Sequence, residues 1–562
     1  MQNNSQSRPG GEIIVDQLVR QGVDHVFCVP GESYLAVLDA LHDASINVTV
    51  CRQEGGAAMM AEAHGKLTGR PGICMVTRGP GISNALAGIH IAKQDSTPLI
   101  VFVGQIETGM REREAFQEVD YRAVFGTQTK WTTEIDDAAR IPELIARAFH
   151  VAMSGRPGPV VIALPEDMLV QLATVADAPR VEPVESAPAS EQITQMAALL
   201  AGAKKPLAIL GGSRWTQEAV NNFVRFAEKQ QLPVAVQFRR QHLFPSSHPN
   251  FVGDIGLGIN PKLLKMAQEA DVILLVGGRM SEIASQSYTL LDIPVPKQML
   301  IHVHPDSQEL NRVYQATLAI NATPAQFVHS ADGLAACDQD ARKDYVDTAH
   351  AAYMAWSDPQ SVSTPGALQM GQVMAYLEKN LEPDAILTNG AGNYATWLHR
   401  FHRFNHFNTQ LAPTSGSMGY GAPAAVGAKR VMPQRQVVCF AGDGCFLMHG
   451  QEFATAVQYG LNIIVLVFDN GMYGTIRMHQ EKHYPGRVSA TDLQNPDFAA
   501  YAVAFGGHGE RVENNEAFGP AFERAVASGK PAILHCLIDP QAITPTATLD
   551  QLRAAAEQSQ AK

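Results

Sequence analysis

The stretch QVVCFAGDG (436–444), followed after 24 intervening residues (445–468) by DN (469–470) at the end of NIIVLVFDN (462–470), decides how this chain is read. Each apolar run predicts a strand buried on both faces, as in a parallel sheet. The order is strand, acidic glycine turn, helix starting near Phe446, strand, amide turn. That order suits a diphosphate held through a divalent metal. Asp443 offers a carboxylate oxygen and Asn470 a carbonyl oxygen, both hard ligands for Mg²⁺. The backbone carbonyl of Met472, two residues on, offers a third. Gly442 and Gly444 let the backbone approach phosphates closely, and the helix N-terminus turns its N–H groups toward the anion. Asp-Gly alone is a common turn; two strand ends at this spacing are far more specific.

Working outward, alternating helices and apolar strands recur along all 562 residues, too many for one core. The expected fold class is α/β, with three doubly wound parallel-sheet domains: 1–172, 193–336 and 364–545, followed by a tail at 546–562 that reads as loose or as a swinging helix. In the first, HVFCVPG (25–31), INVTVC (46–51), GICMV (72–76), PLIVFVGQ (98–105) and PVVIALP (159–165) read as strands. The second has PLAILGG (206–212), LPVAVQF (232–238), DVILLVGGR (271–279) and MLIHVHPD (299–306); the third adds AILTNGAG (385–392) and PAILHCLIDP (531–540) to the opening pair. Residues 173–192, rich in Ala, Pro, Ser and Glu, read as a linker.

Composition excludes several classes. A net charge of −12 without long like-charge blocks argues against nucleic acid or anionic membrane as partner. The seven Cys form no CxxC pair, which fits buried thiols in a reducing cytoplasm. Residues 1–11 lack a signal peptide's apolar stretch, and no apolar run approaches a membrane span. The expected location is cytoplasmic.

The GDG-to-DN segment resembles the thiamine diphosphate (ThDP) signature, with Asp469 in place of its first Asn. Other motifs follow in the same order over roughly 12–545. CRQEGGAAMMAEAHGKLTGR (51–70) resembles the pyrimidine-binding segment of ThDP enzymes, where Glu54 would hydrogen-bond the cofactor ring and activate it, with burial raising its pKa. RGPGISN (78–84) resembles that family's GPG turn, with Asn84 expected to cap the next helix. At Glu32 and Ser33, beyond the first strand, scaffold and ligand-contact readings both stand. AFQEVDYRAVFGTQTKW (115–131) resembles a segment of acetohydroxyacid synthases and pyruvate oxidases, placing Phe116 and Gln117 beside the reacting centre of a neighbouring subunit.

In the third domain the resemblance implies cofactor contacts at Gly392, Asn393, Gly442, Asp443, Gly444, Cys445, Asn470, Met472, Tyr473 and Gly474. Met418 and Ile476 would hold the cofactor bent. His479 stands where some acetohydroxyacid synthases carry a Trp that selects 2-ketobutyrate, which puts a branched-chain biosynthetic role in doubt; the remaining His residues show no metal-ligand spacing and read as solvated. Gly211-Gly212 and Gly277-Gly278-Arg279 resemble nucleotide contacts of flavin- or ADP-binding relatives, yet no GxGxxG is present, which disfavours tightly bound FAD.

The chain is therefore read as similar to acetolactate synthases (acetohydroxyacid synthases). The resemblance implies ThDP- and Mg²⁺-dependent decarboxylation of a 2-oxo acid, pyruvate first, with addition to a second carbonyl. It also implies a homodimer or homotetramer with active sites at the subunit interface. A simple decarboxylase, an aldehyde carboligase, a 2-hydroxyacyl-CoA lyase and a non-catalytic ThDP-binding homologue stand as alternatives.

Overall fold

The computed structural model describes residues 6–338 and 340–560. Its strands form three six-stranded sheets, each parallel throughout, and one two-stranded antiparallel pair. The N-terminal sheet is ordered Asn47–Val50, His25–Cys28, Gly72–Val76, Leu99–Gln105, Pro159–Pro165, Trp131–Glu134. The C-terminal sheet is ordered Gln410–Leu411, Ile386–Asn389, Val437–Gly442, Ile464–Asp469, Ala532–Leu537, His508–Val512. Numbered within each sheet, both run 2-1-3-4-6-5, so the two domains share one topology without visible sequence identity. The central sheet, built from Pro206–Leu210, Val234–Gln237, Phe251–Ile255, Val272–Val276, Met299–His304 and Leu318–Asn321, runs 3-2-1-4-5-6, the dinucleotide-fold order.

These sheets put the chemistry where the strand order reverses. In open α/β sheets ligands bind beyond the carboxyl ends of the strands at that switch point. In the C-terminal sheet the switch lies between Ile386–Asn389 and Val437–Gly442, so Gly390–Asn393 and Asp443 flank it. In the N-terminal sheet it lies between His25–Cys28 and Gly72–Val76, so Pro30-Gly31 and the turn 77–81 flank it.

The chain packs as two compact units. The first contains the N-terminal sheet together with Pro413–Gln434 and Leu447–Ile463; the second contains the central and C-terminal sheets. In the first, the helix Glu54–Thr68 is buried almost all round. Its Gly and Ala residues let the helices Pro80–Asp95 and Gly421–Val431 approach closely; a Cβ on Gly427 would stand 2.8 Å from the Met60 carbonyl oxygen. Gly69, at φ +68, ends this helix in the left-handed conformation that glycine favours.

Three expectations are corrected here. The GDG turn leads into a single helical turn, Asp443–Phe446, and the longer helix starts at Glu452. Within the 173–192 stretch, Ala173 ends a short strand, residues 174–189 are irregular but fixed, and a helix starts at Ser190. Gln17 exchanges two 3.0 Å hydrogen bonds with the Ala178 backbone, and Gln21 bonds Pro179 O and Val181 N. Within the tail, Leu549–Gln560 is a docked helix: Arg553 makes a bidentate pair of 2.8 and 2.7 Å with Glu481, a carboxylate buried in the helix Gly474–His483. Among the described residues no helix is long and apolar enough to cross a membrane.

Candidate active site

In the first unit the site is built around the start of the helix Glu54–Thr68. Gln53 caps it, its side chain accepting from Gly56 N at 3.0 Å. The capping strand end is itself held by Glu452, fully buried. Glu452 accepts from Arg52 N (3.1 and 3.2 Å), Gln53 N (2.9 Å) and the Thr455 hydroxyl (2.6 Å). Burial pushes the Glu452 carboxyl up despite these donors. Glu54 therefore stands on a fixed backbone. It is partly exposed rather than buried, and Oε2 accepts from Asn84 Nδ2 at 2.9 Å. Asn84 does not cap its helix; it lies inside Pro80–Asp95, past the Gly79 cap, and orients Glu54.

The turn before that helix gathers other predicted residues. Gly79, at φ +53, faces Gln117 so closely that a Cβ would stand 2.9 Å from the Gln117 Cβ. Gln117 itself has φ +65, and Phe116 beside it is 75% exposed. The loop is held from within by Glu118, which accepts from Glu112 N at 2.7 Å and Ala115 N at 3.0 Å. His449 packs against both Gly55 and Gly419, so Met418 and Glu54 neighbour the two glycines it touches. Burial lowers the His449 pKa. Ser33 is buried on Thr77 Oγ1 at 2.9 Å, a scaffold contact, while Glu32 is exposed.

In the second unit Asp443 is nearly fully buried, and Asn495 Nδ2 bridges it to Asp469 with two 2.8 Å hydrogen bonds. Burial, with Asp469 adding to it, pushes the Asp443 carboxyl up to about 6. Burial would raise Asp469 too. His535 at 2.9 Å, Gly471 N–H and Asn495 hold it below the usual carboxylate range instead. Phe498 N–H donates to His535 Nδ1 at 3.3 Å, so the ring proton sits on Nε2 and is donated to Asp469.

Asn470 follows at the strand end. The Met472 carbonyl accepts from Gly474 N at 2.8 Å and keeps a second lone pair. The residues fit a hard divalent cation in kind: the Asp443 carboxylate is buried, and Asn495 Oδ1 beside it is buried without a hydrogen bond.

The remaining predicted contacts divide. Asn393 is committed to scaffold, donating to Ile543 O at 3.1 Å and accepting from Thr475 at 3.0 Å. Cys445 is buried against the Tyr394 hydroxyl at 3.1 Å, and Ile476 is 55% exposed. Gly474 opens the helix Gly474–His483. The space over Gly392 and Gly442 is filled by the Tyr394 ring and that over Gly444 by Tyr473, whose Cε1 would stand 2.5 Å from a Cβ there. These glycines make room for aromatic rings in this structure. In the central sheet, Gly211 and Gly278 pack against Gln237, whose amide donates to Arg279 O at 2.6 Å.

Asn84 was expected only as a cap, and its hold on Glu54, like Glu452, His449, Asn495 and His535 altogether, escaped sequence reasoning. His535, inside the PAILHCLIDP strand, carried the clearest signal: a lone polar residue in an apolar run.

Three family models match in order: the thiamine pyrophosphate enzyme N-terminal TPP-binding domain over residues 8–124, the central domain over 193–330 and the C-terminal TPP-binding domain over 390–536. The chain is 31% identical to the acetolactate synthase isozyme 2 large subunit of Escherichia coli, over 94% of this chain and 95% of that protein. It is 32% identical to the acetolactate synthase large subunit of Corynebacterium glutamicum (94% and 86% covered) and 29% identical to a probable acetolactate synthase large subunit of Methanocaldococcus jannaschii (95% and 93%). With three domains matching in sequence order and the Glu54 and Asp443 sites at the switch regions of their sheets, the chain belongs to the thiamine diphosphate enzymes, of the acetolactate synthase type.

Proposed function

We propose that the protein decarboxylates pyruvate and joins the two-carbon product to a second 2-oxo acid, using ThDP and Mg²⁺. The observation that carries this reading is similarity to acetolactate synthases over nearly the whole chain, combined with an intact Glu54 and Asp443. Asp443, Asn470 and the Met472 carbonyl would hold Mg²⁺, and with it the diphosphate. The bound cofactor supplies the carbon nucleophile that a 2-oxo acid needs in order to lose CO₂.

The chain's own residues do the rest. Asn84 fixes one Glu54 oxygen, which leaves Oε1 to hold a proton at the cofactor's ring nitrogen. Gln117, held in a left-handed backbone conformation beside the Gly79 turn, would orient substrate oxygens, and exposed Phe116 would complete the site of a neighbouring subunit in a dimer or tetramer. Met418 and Ile476 would pack the cofactor. His479 is exposed on the helix Gly474–His483 and stacks with His483 at 6.2 Å; the Trp missing at this position, rather than this geometry, favours an acceptor other than 2-ketobutyrate.

Turnover of pyruvate with ThDP and Mg²⁺, with products resolved by mass, tests the reading. Acetolactate is expected. Acetaldehyde alone would make the protein a decarboxylase, and ThDP binding without pyruvate consumption would move the donor to another 2-oxo acid, an aldehyde or a hydroxyacyl thioester.

A further inference from the structure

Asp24, His25 and His64 meet at the amino end of the first strand, away from the carboxyl ends where Glu54 and the Gly79 turn lie. Asp24 and His25 are adjacent in sequence, and His64 comes from the helix Glu54–Thr68. Each offers one ligand atom, and these atoms all lie within 4.8 Å of one another. Asp24 Oδ1 is 3.1 Å from His25 Nδ1 and 3.2 Å from His64 Nε2. Ligands sharing a tetrahedral ion at its usual bond lengths stand about 3.3 Å apart. Both imidazoles are largely buried, 11% and 8% exposed at the side chain, while Asp24 is 64% exposed, so water reaches the cluster from that side. His64 had been expected to be solvated.

The convergence of the three ligand atoms, with His25 Nδ1 left without a hydrogen bond among them, is what points to a cation. The Thr68 hydroxyl donates its single proton to a carbonyl, His64 O at 2.8 Å, and its oxygen stands 3.4 Å from His64 Nδ1. His64 Nε2 is in hydrogen-bond contact with Asp24 Oδ1 at 3.2 Å, and a metal ion placed between them would take the position of the shared proton. His25 Nδ1 is also buried and makes no hydrogen bond despite its closeness to the same oxygen. Two imidazole nitrogens, one of them buried without a hydrogen bond, and a carboxylate oxygen gathered at one point is the arrangement a metal ion satisfies. The Thr68 oxygen is the outer partner that fixes the ring of a ligating His.

We propose that Asp24, His25 and His64 bind one divalent transition cation of borderline softness, with Zn²⁺ the best fit, at a site distinct from the ThDP Mg²⁺. Imidazole donors favour Zn²⁺ over Mg²⁺ or Ca²⁺. The ion would tie the first strand to the far end of the helix that begins with Glu54.

The test is Zn²⁺ titration of the full chain, stripped with chelator and then saturated with ThDP and Mg²⁺ so that the cofactor site is occupied. Binding is followed by competition with a chromophoric chelator, and Co²⁺ absorption reports ligand geometry. One equivalent is expected, with tetrahedral-type Co²⁺ bands. Asp24→Asn and His64→Asn should each weaken binding by more than about 100-fold, beyond what loss of an outer partner alone costs. His64 is buried and its variant can fail to fold. Asp24→Asn alters an exposed side chain and keeps the backbone hydrogen bond from Asn47 N to Asp24 O at 2.9 Å, so it decides the matter alone. Unchanged Zn²⁺ binding in Asp24→Asn would overturn the site. So would a wild type that binds no equivalent, which would make the cluster an imidazolium–carboxylate pair.

Discussion

Glu452 touches Glu54 only through the backbone between them, which makes it the sharpest test of how this site is held. Replacing it with Ala removes the acceptor for Arg52 N–H and Gln53 N–H and leaves Thr455 to find another. Each buried donor left unmatched costs about 1–3 kcal/mol, so Glu452→Ala should lose about 2–6 kcal/mol. Glu452→Gln keeps an oxygen where Oε1 now accepts both N–H groups, at 3.1 and 2.9 Å, and turns its amide toward a hydroxyl that can accept. It should lose only about 1 kcal/mol, the charge-assisted part of the bonds.

Because burial raises the Glu452 carboxyl, the folded state binds its proton more tightly than the unfolded chain. That stabilisation is complete below the ordinary glutamate value of about 4.3 and is lost as pH rises through the folded value. Glu452→Gln should remove this decline. Urea midpoints of wild type and both variants across pH, with kcat measured alongside, provide the check. Glu452→Ala should lose most of its kcat with cofactor still bound, and Glu452→Gln should stay within about threefold, an activation difference of under about 0.7 kcal/mol. Equal stability of the Ala and Gln variants would refute the claim that acceptor geometry, rather than side-chain bulk, fixes the entry to this helix.

Three further outcomes follow from the same structure. Asp443→Asn should weaken Mg²⁺-dependent ThDP binding by more than about 100-fold in calorimetry, since it removes the buried carboxylate from the donor set. Gly444→Ala should cost about 1–3 kcal/mol by driving a methyl into the Tyr473 ring. Adding Tyr473→Leu should recover thermal stability, and absence of recovery would show that the ring is not the obstacle. Arg553→Met should cost about 2–3 kcal/mol and open the C-terminal helix to limited proteolysis, because Glu481 keeps only Arg477 and Gly486 N–H. Arg553, chiefly, holds Glu481 down at about 2, so its stabilising contribution is present above the ordinary value and lost as pH falls toward 2. The variant's stability should fall less steeply over that window.

The interior strands were legible because burial on both faces demands continuous apolar runs, as in VVCFA (437–441) and IVLVF (464–468). The edges were not. Trp131–Glu134, Leu318–Asn321, Gln410–Leu411 and His508–Val512 all border their sheets, and Gly253 and Asp254 interrupt the pattern of Phe251–Ile255, another edge. A strand paired on one side needs less apolar sequence, so its signal sinks into that of loops. The site divided the same way. Asp443 and Glu54 stand in local motifs that spacing exposes. Glu452 acts on Arg52 across 400 positions and Asn495 on Asp443 across 52, and only the folded chain puts such pairs on one hydrogen bond.

The departure at Asp469 shows how such distant partners change the meaning of a motif. An aspartate beside Asp443 adds a second negative charge next to a nearly buried carboxylate, which would oppose folding if nothing met it. His535 meets it from an adjacent strand, and the Phe498 N–H fixes the tautomer that donates to Asp469 without requiring a charged ring. Asn495 then divides its two amide protons between the carboxylates, leaving Asp469 ionised and Asp443 raised to about 6. The strain of the pair is thereby concentrated on the one carboxylate whose position suits a metal. On the proposed reading, a divalent cation held there would relieve it by ionising Asp443 outright. On the proposed function Asp469 would thus be part of what makes the site favour a cation, so the departure from the motif is consistent with the function the motif indicates.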